Sequence, residues 1–273
     1  MIRLAVRCRV QQAEFVLAEL VQLAPGGVEE ERGPGWVEYA IYGAEGELPD
    51  VGAAEAAAGD GLVEVRSERI PDDWADRWRD FHEPTVIADG RVVIRPSWHD
   101  SPPGATIEVV IDPGQAFGTG AHPTTRMCVE LLLELAGHGD ASGPLVDLGT
   151  GSAVLAIVAA KLGFAPVVAA DLELAALEAA AANAAANDVQ VRLERVNLRE
   201  EPPPPAPTVV ANLTAPLLRD VAANLPSGCD RLVCSGLLAR EAEGVEAAFR
   251  RAGLVTTDRR DSGDWSALLL ERG

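Results

Sequence analysis

A short acidic and glycine-rich turn between a strand and a helix is the part of the sequence best suited to bind a ligand. In residues 144–157, PLVDLGTGSAVLAI, a β-prone run carries Asp147, and Gly149 and Gly151 follow it. Glycines allow a sharp turn and a close backbone approach to a ligand, and the first turn of a helix offers unpaired N–H groups. This order is typical of the first strand, the cofactor loop and the first helix of a doubly wound α/β sheet.

The glycine spacing argues against a dinucleotide as the ligand. The dinucleotide fingerprint Gly-x-Gly-x-x-Gly/Ala needs a small third residue, but counting from Gly149 that residue is Val154. Asp171 ends the next predicted strand, 20 positions after Gly151. A carboxylate there can accept hydrogen bonds from both hydroxyls of a ribose, whether the cofactor is a dinucleotide or another nucleoside, or it can cap the following helix.

Two further blocks carry polar groups that could complete a site. Residues 112–125, DPGQAFGTGAHPTT, predict a long loop over the cofactor cleft, or a purely structural Ω-loop, that ends in a helix beginning at Pro123. Asn212 follows a predicted central strand, where its neutral amide could hold a cofactor group or an incoming amine, or cap the next helix. His122 has no carboxylate partner in sequence, which makes it a poor candidate for a general base.

The chain divides by pattern into three parts. Residues 1–70 predict strand, helix, strand, strand, helix and strand, the order of a small ferredoxin-like α+β domain. Residues 71–83 predict a linker helix with one aromatic face. In residues 84–273 strands and helices alternate from residue 144 onward, which predicts a mostly parallel sheet between helices, closed by an antiparallel hairpin at one edge.

Composition limits the class of protein and its partners. The formal net charge of −19 disfavours direct binding to nucleic acid and would attract a basic partner, although solubility alone would also account for it. The four cysteines lack metal-ligand spacing, so neither a zinc site nor a disulfide framework is expected. The first residues alternate as in a strand, and no run approaches the ~18 apolar residues of a membrane span, so we expect a cytoplasmic protein.

The three blocks together resemble one methyltransferase family. The first block, Asp-x-Gly-x-Gly-x-Ala, is similar to the first motif of class I S-adenosylmethionine-dependent methyltransferases. Residues 112–125 resemble a motif specific to the family that modifies protein eleven of the large ribosomal subunit (PrmA), and residues 211–213 resemble its fourth motif. The resemblance runs from about residue 70 to the end, whereas the N-terminal part agrees in size and pattern only.

The resemblance implies a doubly wound, Rossmann-like methyltransferase sheet that binds S-adenosylmethionine without a metal. It places the cofactor at Thr125, Gly149, Gly151, Asp171 and Asn212. As the catalytic residue we expect Asn212, whose carbonyl, or else nearby backbone, would orient the amine. It also implies that the N-terminal domain recognises a basic ribosomal protein, whose lysine ε-amines and N-terminal α-amine are methylated. A monomer with no direct contact to nucleic acid or membrane is expected.

One position departs from the family pattern, and other functions stay open. Ala153 stands where the loop usually ends in glycine and adds a methyl group where helix and strand pack closely; we expect the loop still to bind. The alternatives are a class I methyltransferase for another protein or a small amine, and a non-catalytic S-adenosylmethionine-binding adaptor. A nicotinamide dehydrogenase is disfavoured by Val154.

Overall fold

The computed structural model describes residues 2–13, 16, 29–43, 63–69, 83–112, 120–139, 141–226 and 228–273. The chain divides into two compact units, Met1–Phe81 and His82–Gly273. The predicted linker helix lies almost entirely outside the described residues, so the proposed domain boundaries stay a prediction. Among the described helices, none combines the length and the apolar character that a bilayer crossing requires.

The first unit contains a four-stranded antiparallel sheet with the strand order β2-β3-β1-β4. Every second residue of β1 from Leu4 to Cys8 and of β3 from Val37 to Ile41 belongs to a small core of this unit. The pairing is compatible with a ferredoxin-like module, but the two predicted helices fall mostly outside the described residues and stay predictions. The strands are β1 (Ile2–Arg9), β2 (Glu29–Gly33), β3 (Trp36–Gly43) and β4 (Val63–Arg69).

A buried carboxylate is held between two arginines on this sheet. Glu38 on β3 accepts hydrogen bonds from Arg3 Nη2 at 2.8 Å and from Arg7 Nε at 2.9 Å, both on the neighbouring β1. Burial by itself raises the pKa of Glu38, but the two guanidinium groups outweigh it, so the net pKa is lowered. The Arg7 guanidinium also lies 4.0 Å from the centre of the Trp36 ring. The cross-strand contacts therefore keep this acid ionised and fixed in place.

The second unit is built on a seven-stranded, mostly parallel sheet with the order β10-β9-β8-β11-β12-β14-β13. Strands β8 to β12 pair in parallel, and β14 pairs antiparallel with both β12 and β13. The predicted Rossmann-like sheet and its closing hairpin are thus confirmed. The strands are β8 (Leu145–Leu148), β9 (Val167–Asp171), β10 (Val191–Arg195), β11 (Thr208–Asn212), β12 (Arg231–Leu238), β13 (Leu254–Ser262) and β14 (Trp265–Arg272).

Five helices cover the two faces of this sheet, and each face has its own core because successive strand residues point to opposite sides. The first three pack on one face, where residues Val154 to Ala159 of α2 are all buried. The last two pack on the other face. The helices are α1 (Pro123–Gly137), α2 (Val154–Leu162), α3 (Leu174–Ala186), α4 (Ala215–Ala223) and α5 (Ala242–Arg251).

A separate three-stranded sheet leads into the 112–125 block. It consists of β5 (Thr85–Ile87), β6 (Val92–Arg95) and β7 (Ile107–Val110), with β5 antiparallel and β7 parallel to β6. The sequence pattern did not separate β5 from β6, which are joined by a turn over residues 88–91. Three consecutive residues of that turn, Ala88 to Gly90, have positive φ, which reverses the chain within a few residues. The inner side chains of this sheet join the core around α1 and α2.

A bulge in β12 brings two backbone segments into contact. The register with β14 shifts between Cys234 and Leu237, so two residues of β12 face one residue of its partner. The second of them, Gly236, has a φ of 82°, and a Cβ built there would lie 2.5 Å from the Leu213 carbonyl oxygen and 2.8 Å from the Leu213 amide nitrogen. Because backbone atoms cannot move aside as a side chain can, only glycine fits at this position.

We expect Gly236→Ala to destabilise the fold far more than Gly139→Ala. Gly139 has nearly the same φ, 84°, but a Cβ added to it would have no atom within 4 Å, so it reports the backbone strain alone. That strain costs about 1 kcal/mol, and the overlap with Leu213 adds about 1–3 kcal/mol. Urea unfolding of both variants measures the difference. Equal losses of unfolding free energy would show that the Leu213 backbone does not confine Gly236.

Candidate functional site

The sequence-predicted residues meet at one edge of the large sheet. Gly149 and Gly151 follow β8, whereas Asp171 and Asn212 end the two strands that flank it. Thr125 lies in the first turn of α1 and joins them through a hydrogen bond to Asn212. These are the carboxyl ends of adjacent parallel strands, at the point where the strand order reverses direction, which is where doubly wound sheets bind ligands.

The cofactor loop, residues 149–153, turns sharply enough to need glycine. Gly149 has a φ of 67° and Gly151 a φ of 52°. The amides of Gly149 and Thr150 both donate to the Ala170 carbonyl oxygen of β9, at 2.8 and 3.1 Å. A Cβ on Gly149 would overlap the side chain of Leu213, the residue after Asn212. The bare backbone of the loop is therefore required both by its conformation and by its closest neighbour.

Ala153 ends the loop in a left-handed conformation. Its φ is 64° and its ψ is 18°, it is fully buried, and its carbonyl oxygen accepts the first hydrogen bond of α2 from Ile157 at 2.8 Å. The reason glycine would suit this position is thus the positive φ in addition to close packing. An alanine in this region costs roughly 1–2 kcal/mol, which the surrounding loop and helix must supply.

Asp147 ties the cofactor loop to α2. Its Oδ2 accepts a hydrogen bond from Thr150 Oγ1 at 2.6 Å and one from the Ala156 amide at 3.2 Å, and the residue is 1% exposed. The pKa of this carboxyl is raised to about 7: burial is the main cause, the nearby charge of Asp171 adds to it, and the two hydrogen bonds oppose it. The side chain is therefore a titrating, largely inaccessible brace rather than a ligand-binding group.

Asp171 contacts the cofactor loop with one carboxylate oxygen and the segment before α3 with the other. Its Oδ2 accepts from the Gly151 amide at 3.0 Å, and its Oδ1 accepts from the Glu173 amide at 3.1 Å, just before α3. Glu173, and not Asp171, is the N-cap residue of α3. The carboxylate is half-buried at the strand end, so it supports the loop and still faces the edge of the sheet.

Asn212 contacts Thr125 across the edge of the sheet. Its Nδ2 donates to Thr125 Oγ1 at 3.3 Å, and the two residues are 87 positions apart in sequence. Thr214 occupies the N-cap of α4, so Asn212 is not the cap of that helix. The next amide, that of Leu213, donates to the Ser235 carbonyl oxygen at 3.0 Å, which holds the strand end in place.

His122 has a structural role at the start of α1. It is the N-cap residue; its Nδ1 accepts from the Thr124 amide at 3.4 Å and lies 2.7 Å from Thr124 Oγ1. Its ring packs edge-on against Trp265, with 4.9 Å between the ring centres. Burial lowers the pKa of His122, which favours the neutral ring that this cap requires. The N-cap of α1 is thus an imidazole.

Three supporting residues were missed in the sequence analysis. Gly236 confines the backbone after Asn212, and its signal was a glycine beside a strand pattern. Asn183 and Asn187 are two buried side chains, the first within α3 and the second directly after it, and they hydrogen-bond to backbone outside their own helix. In an alanine-rich helix nothing marked which face would be buried, so these two residues carried no usable pattern.

A separate open groove of about 700 Å³ lies between α1 and β13. None of the sequence-predicted site residues lines it, and acids and arginines alternate along its walls. The described residues contain no cluster of His, Cys, Asp and Glu side chains suited to a metal ion, and all four cysteines are free and buried. The groove is lined by Ala121, Pro123, Arg126, Met127, Glu130, Arg260, Asp261 and Ser262.

The raised pKa of Asp147 predicts a specific pH dependence of stability. The folded protein keeps a proton that the unfolded chain releases near the ordinary pKa of 3.8, so unfolding becomes easier as pH rises toward about 7 and changes little above it. Asp147→Asn keeps an acceptor oxygen but cannot titrate. From about pH 5 to about pH 8 the wild type should lose about 2 kcal/mol relative to Asp147→Asn, measured by urea unfolding. Parallel pH curves for the two proteins would contradict the prediction.

Comparison with known proteins identifies the family. The family model described as "Ribosomal protein L11 methyltransferase (PrmA)" matches residues 45–273. A ribosomal protein L11 methyltransferase of Symbiobacterium thermophilum is 34% identical over 271 residues, which cover 92% of this chain and 84% of the relative. One from Listeria monocytogenes serotype 4b is 37% identical over 210 residues, 74% of this chain and 65% of the relative, so the match spans slightly less than two thirds of that protein.

A solved structure agrees with the sequence comparisons. The crystal structure of a ribosomal protein L11 methylase from Lactobacillus delbrueckii subsp. bulgaricus superimposes with a TM-score of 0.61 at 27% identity, covering 70% of this chain and 99% of the other. The matched family model includes the whole sheet edge formed by Thr125, the cofactor loop, Asp171 and Asn212. The chain therefore belongs to the ribosomal protein L11 methyltransferase (PrmA) family.

Proposed function

We propose that this protein transfers methyl groups from S-adenosylmethionine to amino groups of ribosomal protein L11, namely lysine ε-amines and the N-terminal α-amine. The observation that carries the proposal is the Asn212–Thr125 hydrogen bond, which fixes a neutral amide beside the cofactor loop and Asp171. Family membership supports the reaction class, and the relatives' names supply the substrate.

The sheet edge fits S-adenosylmethionine. Gly149 and Gly151 both have positive φ and carry no side chain that would separate the loop backbone from a ligand. A carboxylate can accept about four hydrogen bonds, and Asp171 uses two of them on the Gly151 and Glu173 amides, which leaves capacity for two ribose hydroxyls. When bound, S-adenosylmethionine supplies a methyl group on a sulfonium, a leaving group that needs positioning more than activation.

Asn212 is proposed to orient the amine. Because its Nδ2 donates to Thr125, the Oδ1 carbonyl is turned away from Thr125 and can accept an N–H from the substrate. A neutral acceptor suits this task, since a carboxylate there would stabilise the protonated amine, which cannot attack. Thr125, 1% exposed, is proposed to act by fixing Asn212 as well as by bordering the cofactor.

The amine must lose a proton before it attacks, because the reference pKa of a lysine is about 10.4. His122 is not proposed as the base: its Nδ1 accepts from the Thr124 amide at the helix start, and burial lowers its pKa. We propose that the proton leaves to water while the Asn212 carbonyl holds the amine in line.

The partner is proposed to be a basic ribosomal protein recognised through the N-terminal unit. The formal net charge of −19 supports a basic partner and argues against direct contact with nucleic acid. We also propose that the protein acts as a monomer in the cytoplasm.

The direct test is to incubate the purified protein with ribosomal protein L11 and S-adenosylmethionine and to measure the intact mass of L11. We expect mass increases in steps of one methyl group, and peptide mapping should place them on amines. An unchanged L11 together with labelling of another protein or a small amine would assign a different substrate. Cofactor binding with no transfer to any component of a ribosomal extract would favour an adaptor.

Loss of the Asn212 side chain should impair transfer much more than folding. We expect Asn212→Ala to lower kcat/KM for L11 by about 100-fold, because the amine loses its orienting acceptor. Thr125→Val keeps the shape of Thr125 but removes the hydroxyl that accepts from Asn212, so we expect about a tenfold loss.

A double variant distinguishes a specific role of the Thr125–Asn212 pair from a general loss of stability. If Thr125 acts through Asn212, the double variant should be no worse than Asn212→Ala alone, since both changes remove the same interaction. Thermal unfolding followed by circular dichroism controls for folding. Full activity in Asn212→Ala would remove Asn212 from the mechanism.

A further inference from the structure

We propose that Asn183 and Asn187 are positioning residues that hold the cofactor loop and the start of the 112–125 segment on one helix. The inference rests on the proposed function, because it assigns these residues to the same methyl-transfer site. Asn183 is 8% exposed and Asn187 is 6% exposed, so both amides are buried although they occupy an alanine-rich helix and its C-cap.

Asn183 donates one hydrogen bond to the cofactor loop. Its Nδ2 donates to the Ser152 carbonyl oxygen at 2.9 Å, across 31 residues of sequence. Ser152 lies between Gly151 and Ala153, two residues with positive φ. A carbonyl in such a turn has no partner within a regular element, so the buried amide supplies the hydrogen bond that fixes its direction.

Asn187 holds the strand that leads into the 112–125 segment. Its Oδ1 accepts from the Val110 amide at 2.8 Å, and its Nδ2 donates to the Val110 carbonyl oxygen at 2.6 Å. Val110 ends β7, which is an edge strand of the three-stranded sheet. The amide thus pairs with both backbone groups of one edge residue, as a neighbouring strand would.

The two contacts are joined through the helix itself. Asn187 Nδ2 also donates to the Asn183 carbonyl oxygen at 2.8 Å, one turn earlier. Directly after Val110 the chain is fixed again: the Ser97 amide donates to Asp112 Oδ1 at 2.7 Å. The 112–125 segment is therefore fixed at Asp112 by Ser97 and at Thr125 by Asn212, and the strand that leads into it is held by Asn187.

This arrangement gives the two residues different expected effects. The Asn183 side chain donates to the loop that is proposed to hold the cofactor, so its loss should weaken cofactor binding. Asn187 acts on the segment that ends at Thr125, the partner of the amine-orienting Asn212, so its loss should slow transfer. A merely structural pair would lower stability without this division.

The test uses the full-length protein and near-isosteric changes. Asn183→Asp and Asn187→Asp keep the volume and remove the amide donors, and Asn183→Ala and Asn187→Ala repeat the test without placing a carboxylate near a carbonyl. Asn224→Asp is the matched control: Asn224 is the C-cap of α4, and its Nδ2 donates at 3.1 Å to a carbonyl of its own helix, that of Asp220.

We expect the Asn183 variants to raise the Kd for S-adenosylmethionine, measured by titration calorimetry, about tenfold. The Asn187 variants should lower kcat for L11 methylation about tenfold while the cofactor Kd changes less than about threefold. Asn224→Asp should change neither. Both variant pairs matching Asn224→Asp in Kd and kcat, with only thermal stability lowered, would overturn the proposal.

The calorimetric arm does not depend on the protein substrate. If the wild type binds S-adenosylmethionine but leaves L11 unmethylated, the proposed substrate is wrong, and the affinity of the Asn183 variants alone decides the inference. Unchanged affinity in both Asn183→Asp and Asn183→Ala would then overturn it.

Discussion

The arrangement of the site depends on one buried carboxyl group. Asp147 accepts from the Thr150 hydroxyl and the Ala156 amide, so a single side chain sets the distance between the cofactor loop and the first turn of α2. Every other contact of the loop starts from that fixed geometry: its amides bond to β9, and Asp171 accepts from Gly151. Because the group is buried beside another acid, its pKa is raised to about 7 and it is partly protonated near neutral pH.

Three asparagine side chains connect the cofactor loop and the segments next to it. Asn183 bonds to the loop carbonyl of Ser152, Asn187 to the strand before the 112–125 segment, and Asn212 to the threonine at the end of that segment. An amide both donates and accepts without carrying charge, so it can join backbone groups in a buried place at little desolvation cost. The three side chains that join these segments are therefore uncharged, although the chain as a whole is acidic.

The sheet and the location of the site could be predicted from the sequence, because both follow from local patterns. Alternating strands and helices required a parallel sheet, and its carboxyl edge had to collect Gly149, Asp171 and Asn212. The roles of these residues toward cofactor and substrate stay predictions. The positive φ of Ala153 could not be predicted, since alanine rarely adopts it.

Contacts between segments that are distant in sequence could not be predicted. The bond from Asn187 to Val110 spans 77 residues, and no periodicity in an alanine-rich helix marks an asparagine as buried. Gly236 likewise matters because of the Leu213 backbone, which only the folded sheet brings near it. The separation of β5 from β6 was accessible in principle, since an Ala-Asp-Gly turn lies between them.

The position of β14 has a consequence for how the molecule is made. This last strand lies inside the sheet, between β12 and β13, and not at its edge. A ribosome synthesises the chain from its N-terminus, so β12 emerges about thirty residues before β14, the strand that pairs with it. The edge that carries Asn212 leans on β12 through Ser235, whose hydroxyl donates to the Ser266 carbonyl oxygen of β14. Such long-range closure slows folding, and it means that a nascent chain completes this site only after β14 has been synthesised.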